Sequence, residues 1–139
     1  MTDATIIDRA LGFIIPSRNA RGRIVRIGPV LEEILGAHGY PPVIEALLAE
    51  ALAVTALLGA MLKDNQGQLT MQAQTQGGQI ALMVCDYSAG QLRGYVQHDA
   101  ERIAALPKDP DLPALFGEGY QVSRNSAITC SPIAHPQFQ

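Results

Sequence analysis

Apolar and polar positions change period several times along the chain, and each change marks an element. Leu69, Met71 and Ala73 alternate with Thr70, Gln72 and Gln74. A period of two belongs to a strand with one apolar face. Ile80 to Cys85 is continuously apolar, which suits a strand covered on both faces. Gly77-Gly78 between them fits a hairpin turn, because both central positions of a type I′ turn need positive φ. Tyr87 to Gly90 turns the chain again, and Leu92 to Val96 supplies a third strand. Residues 67–97 are therefore expected to form a three-stranded antiparallel meander.

Upstream the pattern is different. Residues 11–15 (LGFII) and 22–27 (GRIVRI) read as two short strands separated by a break at Pro16-Ser17-Arg18-Asn19. A helix is expected from Pro29, where a missing N–H costs nothing, with Gly39 as its stop. Tyr40-Pro41-Pro42 ends that segment and opens a second helix, about 42–63, which Asp64-Asn65-Gln66-Gly67 terminates. This helix is apolar on nearly all sides, so more than one face needs cover. The meander's apolar face is the natural partner, giving an α+β fold with antiparallel sheets packed against helices. After His98 the signal fades. AERIAAL reads as a short helical turn, Pro107, Pro110 and Pro113 punctuate a connector, and 121–139 reads as an irregular tail.

Composition narrows the class. Hydrophobic residues make up 47% and charged ones 17%, so disorder is excluded, and with aromatics at 5% the core must be aliphatic. A length of 139 residues suits one domain. The net charge of −3 gives no global attraction to nucleic acid. Arg18, Arg21, Arg23 and Arg26 form a local basic strip, but no aromatic stacking platform is interleaved with it. A solvated strand edge is favoured over a phosphate-binding strip. The start, MTDATIIDRALGF, lacks a basic region before an apolar stretch, and a cytoplasmic location is expected. Glu45 and Glu50 interrupt the apolar helix, which favours a buried core helix over a membrane span.

No constellation for catalysis appears, and no enzyme is expected. Cys85 lies in an apolar run, where a free cysteine behaves as a small hydrophobe. Cys130 has His135 five residues on but no third orienting group, and His38 and His98 sit at element ends. The two cysteines have no partners at zinc spacing, so neither a metal nor a cofactor is expected in this chain. Glu50 in the long helix and Arg93 in the third strand are expected to be a buried charge pair of structural role, since a buried charge needs a partner. Met61, Met71 and Met83 are candidates for an adaptable apolar binding surface, with core packing as the competing use.

The succession of motifs resembles a known family. F-x-x-P-x-R-x-x-R-G-R-I-V-R is followed by V-L-E-E-I-L-x-x-H-G-Y-P-P and L-L-A-E-A-L-A-V-T-A-L-L, then by L-K-D-N-Q-G-Q-L-T-M-Q-A-Q-T-Q-G-G and L-R-G-Y. In this order they are similar to the amino-terminal domain of the thirty-three-kilodalton heat-shock protein family, the redox-regulated holdase chaperones of bacteria, over about residues 11–120. The resemblance implies ATP-independent holding of unfolding proteins. It also implies a carboxy-terminal switch domain in which four cysteines bind zinc when reduced.

Those four cysteines have no counterpart here, so zinc is expected only in that missing domain of the family. After Tyr120 the text no longer aligns. Residues 1–120 are thus expected to be an incomplete chaperone-like domain and 121–139 a tail foreign to the family. Missing strands would leave sheet edges open, and a homodimer or higher oligomer is expected. Two functions stay open. One is a holdase domain that binds unfolding client proteins without the switch, and the other is an inactive remnant that folds only as an oligomer. Neither nucleic acid nor a membrane is an expected partner.

Overall fold

The computed structural model describes residues 8–62, 68–75, 77–117 and 127–131. The elements in chain order are β1 (Arg9–Ile15), β2 (Ala20–Arg26), α1 (Pro29–Gly36), α2 (Pro42–Gly59), β3 (Gln68–Gln74), β4 (Ile80–Ser88), β5 (Gln91–His98), α3 (Ala100–Ala104), α4 (Leu112–Phe116) and β6 (Ala127–Ser131). The fold is α+β. Strands β1 and β2 form a two-stranded antiparallel sheet of their own, and the second sheet has the order β5-β4-β3-β6.

The expected meander is β3–β4–β5. Its register pairs Met71 with Cys85 and Cys85 with Gly94, so these three residues share one face. That face meets α2. A methyl group added at Gly94 would come within 3.0–3.2 Å of the Leu48 and Leu52 side chains. Helix α2 buries Ile44, Leu48, Leu52, Thr55, Ala56 and Gly59, a stripe at helical spacing. Ile44, Leu48 and Leu52 have no exposed surface, and burial of each is worth roughly 1.5–3 kcal/mol. Val96, Ile80, Ile103, Leu115 and Phe116 complete the core from β5, β4, α3 and α4. Gly59 is required by packing. A Cβ there would clash with the Tyr87 ring at Cγ. By length and composition α2 is apolar enough to cross a membrane, but here its buried stripe lies against the sheet.

Local chemistry sets the boundaries. Pro42 opens α2 behind an extended Pro41. Asp99 caps α3 by accepting from the N–H groups of Glu101 and Arg102, and Asp111 caps α4 by accepting from Ala114 N–H. The cap of α1 comes from far away in sequence. The carboxylate of Asp8 accepts from Gly28 N–H at 2.7 Å and from Val30 N–H at 3.1 Å. The open edge of β5 is partly closed, because Val96 N–H donates to the Tyr40 hydroxyl at 3.0 Å.

Five expectations need correction. The connection between β3 and β4 is not a two-residue type I′ turn, because β3 ends at Gln74, β4 begins at Ile80, and Gly77 has positive φ whereas Gly78 does not. The long helix ends at Gly59, not near Lys63, with Ala60 already a turn. Strand β4 runs on to Ser88, and the turn after it is only Ala89-Gly90, with φ values of 49° and 80°. Ladder pairing of Ser88 with Gln91 extends the strand through Tyr87, whose ring is held by Gly59. Leu82 and Val84 are half-buried, so β4 is not fully covered on both faces. Finally, residues 127–131 of the supposedly irregular tail form β6, which pairs with β3 over Thr70–Gln74. The rest of that tail lies outside the described residues.

Candidate functional site

Cys85 occupies the centre of the helix–sheet interface, with 1% of its surface exposed. Burial pushes its thiol up to about 12, against the pull of a hydrogen bond with Thr55 and with a further push from the charge of Asp86. A thiol so placed is neither a nucleophile nor a metal ligand at neutral pH. Thr55 is equally buried and donates its hydroxyl proton to Ala51 O at 2.7 Å. Cys130 belongs to β6, in register with Met71. His135 lies outside the described residues. Among the described residues no group of three or more His, Cys, Asp or Glu side chains is arranged to hold a metal ion, so they do not fit a zinc site.

The structure separates Glu50 from Arg93. Both are exposed. Gly94 turns toward α2, so strand alternation turns Arg93 to the opposite face of the sheet, where Asp86 stands across from it in the ladder. Glu50 lies two residues from Leu48 and Leu52, on the side of α2 turned away from the sheet. The expected buried pair is therefore corrected. Each residue is in the anticipated element, but on the face away from the other.

The methionines divide. Met71 and Met83 are partly buried and pack against the core, and the Met71 sulfur lies 3.3 Å from the Thr55 hydroxyl. Met61 is 60% exposed in the turn after α2. His38 and His98 belong to an aromatic cluster. His38 stacks on Tyr40 at 5.0 Å between ring centroids, and Tyr40 meets His98 edge-on at 5.8 Å.

A cleft of about 870 Å³ opens between the β1–β2 hairpin, α1, the end of α2 and β5, with Val25, Ile34, Ala60 and Leu92 in its walls. Charged groups at its margin include Asp8, Glu33, Arg9 and Arg93. It brings no nucleophile into line with a base.

Sequence reasoning did not single out the apolar surface of the hairpin itself. Nine large hydrophobic side chains are exposed among the described residues, and five of them, Leu11, Phe13, Ile14, Ile15 and Ile24, are on β1 and β2. Four of them, Leu11, Phe13, Ile15 and Ile24, share one face of the hairpin, with Ile14 on the other. Scattered exposed hydrophobes need no explanation, but such a group on one face marks an interaction surface. The hairpin is tied to the core by Arg23, whose Nη1 donates to Ala60 O at 2.7 Å, at the end of α2 beside Met61. The signal was present in LGFII, but an apolar strand reads as buried until its partner layer is known.

Comparison with known proteins adds to this geometry. The Hsp33 protein family matches residues 8–127, seven residues past the end expected from the motifs. The chain is similar to the 33 kDa chaperonin of Caulobacter vibrioides, with 38% identity over 122 residues, which cover 84% of this chain and 40% of that protein. It is similar to the 33 kDa chaperonin of Shewanella oneidensis, with 34% identity over 127 residues, covering 91% of this chain and 41% of that protein. The same identity and coverage hold for the 33 kDa chaperonin of Shewanella woodyi. The chain thus spans about two fifths of the length of the curated relatives it matches.

Proposed function

Because the chain belongs to the Hsp33 family, whose match takes in residues 8–127, we propose that it is an ATP-independent holdase domain that binds unfolding proteins on exposed apolar surface. Homology to proteins named chaperonins supports a chaperone function. The observation that carries the holdase reading is the β1–β2 hairpin, with its five exposed large hydrophobic residues. Such a surface gains binding free energy of about 25 cal/mol per Å² of apolar area covered and places little demand on client sequence. Met61 is exposed in the turn after α2, whereas Met71 and Met83 pack against the core.

The activity in this proposal needs neither nucleotide nor metal. Cys85, buried and protonated, is not its switch. The test is light scattering of a thermally unfolding enzyme at equal molar ratio with the chain, with and without reductant. Suppression in both conditions is expected. No suppression in either would favour the inactive remnant, and suppression only after oxidation would place a redox element in this chain.

Association of copies is part of the same proposal. Among the described residues β6 has no strand on its outer side, whereas β5 is partly closed by Tyr40. An open strand edge is a template for pairing, so a dimer or higher oligomer through β6 is expected. Sedimentation as a monomer at tens of micromolar would contradict it.

A further inference from the structure

The hairpin combines its apolar surface with charge. Five of the ten cationic side chains, Arg9, Arg18, Arg21, Arg23 and Arg26, lie between positions 9 and 26, where no acidic residue occurs. The hairpin carries +5 in a chain of net charge −3. Arg23 is engaged with the end of α2. Arg9 and Arg26 stand directly opposite each other in the ladder. Like charges in that position repel, and the repulsion is relieved by an anion placed between them.

Alternation along the strands puts the Arg9–Arg26 pair on the same face as Leu11–Ile24, Phe13–Gly22 and Ile15–Ala20. Leu11 is 54% exposed, Phe13 44%, Ile15 43% and Ile24 60%. This face reads as two guanidinium groups at one end followed by an apolar strip. At ~3.3 Å per residue it is roughly 20 Å long, enough for six or seven residues of an extended chain.

We propose that this face captures extended apolar segments carrying carboxylates, so that the domain selects acidic stretches of unfolding proteins. The inference rests on the holdase reading and adds the chemistry of the client. Charge complementarity identifies the occupant. A second copy laid face to face would set one basic hairpin against another. A nucleic acid would pair its phosphates with the arginines but leave the apolar strip without a partner. Phe13 is the hairpin's only aromatic residue, and its ring already lies over Gly22, so no stacking platform is offered.

Fluorescence anisotropy with the full 139-residue chain tests this. The probes are labelled peptides of about ten residues that alternate Val with Glu, Lys or Ser, together with polyglutamate and a single-stranded oligonucleotide. The Val–Glu peptide is expected to bind about fivefold more tightly than the other two peptides at low salt, with the gap closing near ~1 M salt. The double substitution Arg9→Glu, Arg26→Glu should reverse the preference in favour of Val–Lys. Both side chains are exposed, so the fold is retained, which circular dichroism checks. Equal binding of the three peptides, an unchanged preference in the reversed variant, or equally tight binding of polyglutamate or the oligonucleotide would overturn the proposal. Client aggregation measured on the same preparation separates the two readings. Suppression with equal peptide binding overturns the acidic preference alone. No suppression and no peptide binding overturn the holdase reading with it.

Discussion

Only 1% of Cys85 is exposed, and its thiol is pushed from 9.0 up to about 12, chiefly by burial. In a Cys130→Ser background, a thiol reagent at neutral pH should label the native chain at least ~100-fold more slowly than the urea-unfolded chain. Comparable rates would show that the interface under α2 opens readily. The same shift fixes a pH dependence. A raised folded-state value gives stability that is complete below about 9 and lost as pH rises toward about 12. Urea midpoints should fall across that window, and Cys85→Ala should flatten the fall. Glu50 is a different case. It is exposed on the far side of α2, so Glu50→Ala should change stability by no more than ~0.5 kcal/mol, with no coupling to Arg93→Ala in a double-mutant cycle. The sequence placed both residues in the right elements. It could not give their faces, because a helix apolar on nearly all sides has no phase to read, and the strand's phase was settled by the contact of Gly94 with Leu48 and Leu52.

At the scale of elements, the strongly periodic segments were legible. Leu69–Ala73 gave β3, the apolar run gave β4, and Pro29 and Pro42 marked two helix starts to the residue. Interactions between distant segments were not. The cap of α1 is Asp8, twenty residues before Gly28, and no local motif announces it. Asp8→Ala leaves two helix N–H groups without their acceptor and should cost about 1 kcal/mol in a denaturant titration, while Asp8→Asn should recover part of the loss. Strand β6 escaped notice because its residues, AITCS, alternate weakly and pair with β3 across more than fifty positions. The turn between β4 and β5 was legible in place, at residues 87–90, but its two-residue form was not. Both of its central residues have positive φ, and one of them is Ala89. Ala89→Gly should raise stability by about 0.5–1 kcal/mol by removing left-handed strain, and a loss there would show that the turn is not type I′.

The molecule as a whole buries one face of its larger sheet on α2 and leaves the smaller sheet largely uncovered. A two-stranded hairpin is at best marginal by itself in water. This one is fastened by Arg23 at the end of α2 and by packing of β2 against that helix, and its apolar side chains remain at the surface. That arrangement is the observation on which the proposed holdase reading rests. The most direct test of this account is site-specific photo-cross-linking to a thermally unfolding client. A photoreactive residue is placed at Ile24 on the hairpin face or at Lys108 in the exposed connector. The account predicts strong client capture from position 24 and little from position 108. Equal capture from both, or capture from 108 alone, would contradict the hairpin as the client surface.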